Sequence, residues 1–291
     1  MQSKILIEGI KFAEGLRWRD GRFWYSDFYK HQVFSVGSDH SPRLEATLDD
    51  QPSGLGWLPD GRLLMVAMLG QKLMRRERDG RIVQHANLSG LALGHANDMV
   101  VDLRGRAYIG FIGFDLDAFV ESKGVEALFA EPGPPRTSVI MVDENGVVRI
   151  AASDMRFPNG MTILNDQLIV AESLGSGLIA FDRLPDGTLV NPTRWASFRR
   201  DRGIVTPDGI CADRDGGIWL ANANVPEVLR VTKGGNIQSR VATSQVAFSC
   251  ALGGVDGRDL LIATAPTPSA ATLSAHLFGK LEIARVDIPV V

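Results

Sequence analysis

The sequence predicts an all-β fold, a six-bladed β-propeller, from three observations: one string recurs six times, its apolar runs are only four to six residues long, and Asp-Gly turns punctuate them at matching offsets. Each copy holds a Gly-containing pair, an apolar run, a polar turn and a second apolar run. The copies begin at Glu14 (EGLRWRDGRFWYSD), Ser53 (SGLGWLPDGRLLMVAM), Asn97 (NDMVVDLRGRAYIGFI), Asn159 (NGMTILNDQLIVAES), Asp208 (DGICADRDGGIWLANAN) and Cys250 (CALGGVDGRDLLIATA). Their starts are 39, 44, 62, 49 and 42 residues apart, and 291 residues over six copies give about 48 each, within the roughly 40–50 residues of blade repeats.

The elements follow in order. Residues 4–8 precede the first copy and 281–288 follow the last, so the two ends are expected to pair in one composite blade. Asp20-Gly21, Asp60-Gly61, Asp215-Gly216 and Asp256-Gly257 read as hairpins between the first two strands of a blade. A third strand follows at 72–76, 138–142, 178–181 and 228–231, giving the three to four strands of a blade. The long third interval holds an insertion at about 114–135, ended by Pro132, Pro134 and Pro135, which is a candidate lid. Trp18, Trp24, Trp57 and Trp219 recur beside the turns and read as packing between blades.

Composition bounds the function. All 291 residues read as one domain, 45% hydrophobic and 22% charged, as in a packed globular chain. A net charge of −3 and interspersed signs argue against nucleic acid; the densest run, Arg199-Arg200-Asp201-Arg202, carries its own acid. No apolar run approaches a membrane span, and the first residues lack a cleavage signal, so the expected location is the cytoplasm. Cys211 and Cys250 read as free, buried thiols. Composition is silent on self-association.

In a propeller the first strand of each blade lines a central channel, so the aligned first residues converge there. Glu14, Asn159 and Asp208 are oxygen donors, and Asn97 with Asp98 adds two more. Such a set suits Ca²⁺, Mg²⁺ or Mn²⁺, with Zn²⁺ less favoured for want of His or Cys. Turn chemistry is the competing explanation for Asn159-Gly160 and Asp208-Gly209. It does not account for Glu14.

The strings Glu14-Gly15 with Trp18, His95-Ala96-Asn97-Asp98 with Asp102, Phe157-Pro158-Asn159-Gly160 with Glu172, and Pro207-Asp208-Gly209 with Trp219 resemble the senescence-marker-protein-30/gluconolactonase family. The resemblance covers nearly the whole chain in order. It implies a six-bladed propeller holding one divalent cation, Ca²⁺ foremost, through Glu14, Asn159 and Asp208, with Asn97 touching substrate or metal-bound water and Asp98 beside it. His95 stands where sugar-lactone members carry Arg, which puts a sugar substrate in doubt; a role in binding a less polar acyl compound, in carrying protons or in structure alone stays open. The implied reaction is opening of a small lactone, with Asp208 both touching the ion and accepting the water proton. Phosphotriester hydrolysis, isomerase or dehydratase chemistry at the same ion, and a non-catalytic binding propeller are the alternatives. Glu172 reads either as a channel residue or as a hydrogen-bond acceptor between blades.

Overall fold

The computed structural model describes residues 1–198, 203–267 and 269–291. The charged run at 199–202 lies outside the described residues. The strands form six antiparallel four-stranded sheets. Blade 1 consists of β2 (Ala13–Arg19), β3 (Arg22–Asp27), β4 (Gln32–Val36) and β5 (Pro42–Thr47), after a leading β1 (Lys4–Ile10). Blade 2 holds β6 (Pro52–Trp57), β7 (Leu63–Ala67), β8 (Lys72–Arg76) and β9 (Ile82–Asn87). Blade 3 holds β10 (Ala96–Val101), β11 (Ala107–Phe111), β12 (Thr137–Val142) and β13 (Val148–Met155). Blade 4 holds β14 (Pro158–Leu164), β15 (Gln167–Glu172), β16 (Gly177–Arg183) and β17 (Leu189–Ser197). Blade 5 holds β18 (Pro207–Ala212), β19 (Ile218–Asn222), β20 (Glu227–Thr232) and β21 (Asn236–Ala242). Blade 6 holds β22 (Val246–Gly253), β23 (Asp259–Ala265) and β24 (Gly279–Arg285), with β1 outermost.

The first strands of the blades touch in a closed cycle, β2 to β6, β10, β14, β18, β22 and back to β2, so the six copies surround one axis. Asp20 and Gly21 both have positive φ, 50° and 73°, which is what a two-residue hairpin between right-twisted strands requires. The tryptophans pack where the turns recur: Trp24 meets Trp57 edge-on at 5.3 Å, and Trp18 lies against Gly253 of blade 6.

The ends are joined by β1 and β24, paired through Ile5↔Glu282 and Ile7↔Leu281. Glu282, 1% exposed, fastens the seam. It accepts from the Ser244 hydroxyl at 2.7 Å, the Thr264 hydroxyl at 2.8 Å, the Ser244 amide and the Ser3 hydroxyl.

Two short helices depart from the all-strand expectation. One, α1 (Leu116–Lys123), followed by a 3-10 turn at Val125–Phe129, occupies the insertion; the other, α2 (Ala270–Leu273), lies between β23 and β24. Asp115 caps α1 by accepting from the Ala118 amide at 3.0 Å, a helix-start signal that the sequence carried in plain view.

Glu282→Ala strands four donors at the closing blade, three hydroxyls and one amide. It should lower stability by on the order of 3 kcal/mol, read as a reduced urea midpoint at unchanged slope. An unchanged midpoint would show that the seam does not depend on this carboxylate.

Candidate active site in the central channel

Each first strand is irregular at one place. Register shifts fall between Glu14 and Arg17, Pro52 and Leu55, Ala96 and Met99, Pro158 and Met161, Pro207 and Ile210, and Ala247 and Ser249. A bulge bends its strand and re-aims a side chain. Glu14, Ser53, Asn97, Asn159 and Asp208 all sit within these bulges, and all are buried. Asn159-Gly160 and Asp208-Gly209 therefore lie inside strands, and the turn explanation for them does not hold. The glycines have a different purpose. A Cβ on Gly15 would stand 2.5 Å from the Ser53 carbonyl oxygen, and one on Gly160 would run into the Asp208 carbonyl of the next blade. Neighbouring first strands are simply too close for a side chain there.

The donors are joined by one chain of hydrogen bonds that crosses four blades. The Ser53 hydroxyl donates to Asn97 Oδ1 at 3.1 Å, Asn97 Nδ2 to Asn159 Oδ1 at 2.9 Å, and Asn159 Nδ2 to the Ser173 hydroxyl at 3.2 Å. The Ser173 hydroxyl in turn donates to the Pro207 carbonyl at 2.8 Å. Both amides are thereby held in one orientation.

Second strands anchor the approaches to these bulges. Asp27 accepts from the amides of Lys11 and Phe12 at 3.1 Å, Glu172 from the Arg156 amide at 2.9 Å, and Asn222 from the Thr206 amide at 3.1 Å. Glu172 thus holds the connection between blades 3 and 4, supported by Arg194, and does not serve as a channel donor.

Three carboxylates, Glu14, Asp98 and Asp208, gather beside the axis. Burial pushes the Glu14 carboxyl well above the usual range, and the charges of Asp208 and Asp98 push it further; the Gly15 amide and Arg17 offset this only in part. Burial also raises Asp208 well above its ordinary value, followed by the charge of Asp98, against the Gly209 amide and a hydrogen bond from Asn159. Arg17 Nη2 donates to Asp98 Oδ1 at 3.0 Å and to the Met99 carbonyl, tying blade 1 to blade 3. Among the described residues, Asp208 Oδ1 and Asp98 Oδ2 are buried without a hydrogen-bond partner.

The structure thus brings Glu14, Asn159, Asp208, Asn97 and Asp98 to one place. His95 is half-buried directly ahead of β10; its carbonyl accepts from the Ile112 amide at 2.9 Å, and its ring makes no hydrogen bond among the described residues. Cys250 packs with Trp219 and Ala221 between blades, as a small apolar residue. Its neighbour Ser249 is the residue whose hydroxyl reaches β2, accepting from the Leu16 amide at 3.3 Å. Arg17, Ser173 and Ser249 were not singled out from sequence. Arg17 had a legible signal: it occupies the place where the second copy has Gly56.

Among the described residues, no three His, Cys, Asp or Glu side chains form a metal cage. The set at the axis is of another kind, two carboxylates from Glu14 and Asp208 plus the amide of Asn159. Its donors are all oxygens, it includes an orphaned Asp208 oxygen, and it suits a hard divalent cation.

The family model described as SMP-30/gluconolactonase/LRE-like region matches residues 12–266. The chain belongs to that family. Regucalcin from Danio rerio is 29% identical over 174 residues, a stretch that covers 58% of this chain and 54% of regucalcin. The chain thus spans about half the length of that relative. Among solved structures, a luciferin-regenerating enzyme superposes with a TM-score of 0.79 at 15% identity, covering 98% of this chain and 95% of that one. A calcium-binding protein, regucalcin, from Agrobacterium tumefaciens gives 0.74 at 19% identity over 99% and 96% of the two chains. At these identities the structural likeness establishes the family's propeller fold. No helix among the described residues is long and apolar enough to cross a membrane.

The raised Asp208 value carries a sign that can be checked. Its charge opposes folding once the unfolded chain ionises, from about pH 4 upward. In chelator-treated protein, Asp208→Asn should melt a few degrees higher than wild type near pH 7, the gap closing toward pH 4. Equal melting at both pH values would mean that the charge is already compensated.

Proposed function

We propose that this family member is a divalent-metal-dependent hydrolase that opens a small lactone. Glu14, Asn159 and Asp208 would hold one cation, Ca²⁺ first, with Mg²⁺, Mn²⁺ and Zn²⁺ as substitutes. The observation that carries the reading is the charge at the axis: three buried carboxylates face one guanidinium, and two carboxylate oxygens lack any partner. A buried excess of negative charge is costly unless something positive completes it. The calcium-binding description of the Agrobacterium regucalcin and the gluconolactonase in the family description support the same reading.

When bound, the ion would polarise the substrate carbonyl and make a neighbouring water more acidic. Asp208 would accept the water proton at Oδ1, which has no competing donor, and return it to the ring oxygen as the acyl C–O bond breaks. Asn97 spends one N–H on Asn159 and keeps the other to donate to the substrate oxygen as charge develops there. Asp98, braced by Arg17, would accept from the substrate at Oδ2, while His95 meets its outer part. The insertion at 114–135 would act as the lid, and the working location would be the cytoplasm.

The test is hydrolysis of a lactone panel and a phosphotriester panel by chelator-stripped protein, before and after return of each cation. Lactonase activity should reappear with the ion, and Asn159→Ala should weaken cation affinity at least tenfold by calorimetry with the fold intact. Activity unaffected by chelation, or wild-type cation affinity in the variant, would overturn the reading.

A further inference from the structure

Among the described residues, Arg17 is the one basic side chain ion-paired with any of the three acids at the axis. It belongs to β2 of blade 1, yet its partners Asp98 and Met99 belong to β10 of blade 3, so the guanidinium reaches past the first strand of blade 2. Close strand packing makes that span possible. A Cβ on Gly15 would stand 2.5 Å from the Ser53 carbonyl oxygen, and one on Gly54 would stand 2.4 Å from the Met99 amide nitrogen, so β2, β6 and β10 lie backbone against backbone. Arg17 Nη1 donates to the Leu16 carbonyl at 2.7 Å, which fixes the second arm of the fork. The Arg17 side chain is 17% exposed and that of Asp98 2%, so water screens the pair only in part. The charge is felt as far as Glu14: burial raises that carboxyl most, Asp208 and Asp98 raise it further, and Arg17 acts against them.

The charges of the site leave a definite remainder. Glu14, Asp98 and Asp208 carry three negative charges when ionised and Arg17 carries one positive charge, which leaves two negative charges at the axis. One divalent cation matches that remainder, and a trivalent one exceeds it. We infer that Arg17 is a built-in counter-ion that sets at two the charge the axial site is made to accept. The inference rests on the cation reading above and adds why that cation is divalent. A brace and a counter-ion predict opposite signs. If Arg17 only held β2 to β10, its loss would loosen the donors and weaken the binding of every ion. Acting through its charge, its loss makes the site more negative, and the attraction, which scales with the product of the charges, grows more for a trivalent ion than for a divalent one.

The experiment is calorimetric titration of chelator-stripped protein with Ca²⁺ and, separately, Tb³⁺, for wild type, Arg17→Met, Asp98→Asn and the double variant. Melting curves establish that each is folded. Arg17→Met should bind Ca²⁺ about tenfold and Tb³⁺ about thirtyfold more tightly than wild type, the two exponents standing in the ratio of the ionic charges. Asp98→Asn should shift both affinities the other way by similar factors. The double variant keeps the wild-type charge without the wild-type ion pair, so both affinities should return to within about threefold of wild type. Unchanged or weaker binding of both ions by Arg17→Met, or a double variant no tighter than Asp98→Asn, overturns the inference and leaves the cation reading standing. Should Arg17→Met not fold, the comparison of Asp98→Asn with the double variant decides alone, since those two differ by the same single charge. Cation binding by Arg17→Met and not by wild type keeps the inference and removes the cation reading of the native chain, and no binding by any of the four removes both.

Discussion

The close approach of neighbouring first strands around the axis is the constraint on which the rest depends. Where Gly15 meets the Ser53 carbonyl and Gly160 the Asp208 carbonyl, no Cβ fits, so the backbone of one blade rests directly on that of the next. Such contact lets a donor from one blade reach a donor from another with a short side chain. Ser53, Asn97 and Asn159 span three blades through bonds of 2.9 to 3.1 Å because their strands are nearly touching. Wider spacing would need longer, less ordered side chains, and the orientation of each amide would be lost.

Crowding also concentrates charge. Glu14, Asp98 and Asp208 come from blades 1, 3 and 5, and each is nearly withdrawn from water. Arg17 answers only part of that charge, and it does so across the channel, by gripping Asp98 and the Met99 carbonyl of blade 3 from blade 1. Glu14 and Asp208 are left with raised proton affinity. The fold therefore spends stability on holding acids together, the pattern expected where a site is meant to be completed by something that arrives later. The anchors on the second strands make this tolerable. Asp27, Glu172 and Asn222 fix the backbone just ahead of the bulges, so repulsion between the carboxylates cannot be relieved by moving the strands apart.

Much of this was readable beforehand, because the repeat is a one-dimensional signal. The copies beginning at Glu14, Ser53, Asn97, Asn159 and Asp208 aligned on the residues that the fold brings together, and a six-membered cycle of strands follows from six copies. What was not readable depends on geometry between copies. The bulges leave no mark in hydropathy, so Asn159-Gly160 and Asp208-Gly209 imitated turns. In the last blade the shift falls between Ala247 and Ser249, earlier relative to the hairpin than in the others, and string alignment named Cys250 where Ser249 makes the contact. Arg17 was visible as a lone cation in a register that the second copy fills with Gly56, yet its partner, 81 residues away, could not be inferred from spacing. The helix α1 was missed for another reason. Its mark in the sequence is a single capping residue, Asp115, whose side chain starts the helix, and not a periodic pattern.

The division of labour that results explains how one site can combine demanding chemistry with variable recognition. The polar donors of the channel are confined to bulges in strands, where hydrogen bonds and neighbouring backbone fix them. The irregular segments lie elsewhere: His95 just ahead of a first strand, Phe28 and Tyr29 just after a second strand, and α1 and α2 within second-to-third connections. Those segments lie outside the first strands, whose packing against one another closes the cycle. A propeller of this kind can thus vary its connections while the backbone contacts that hold the acids together stay in place.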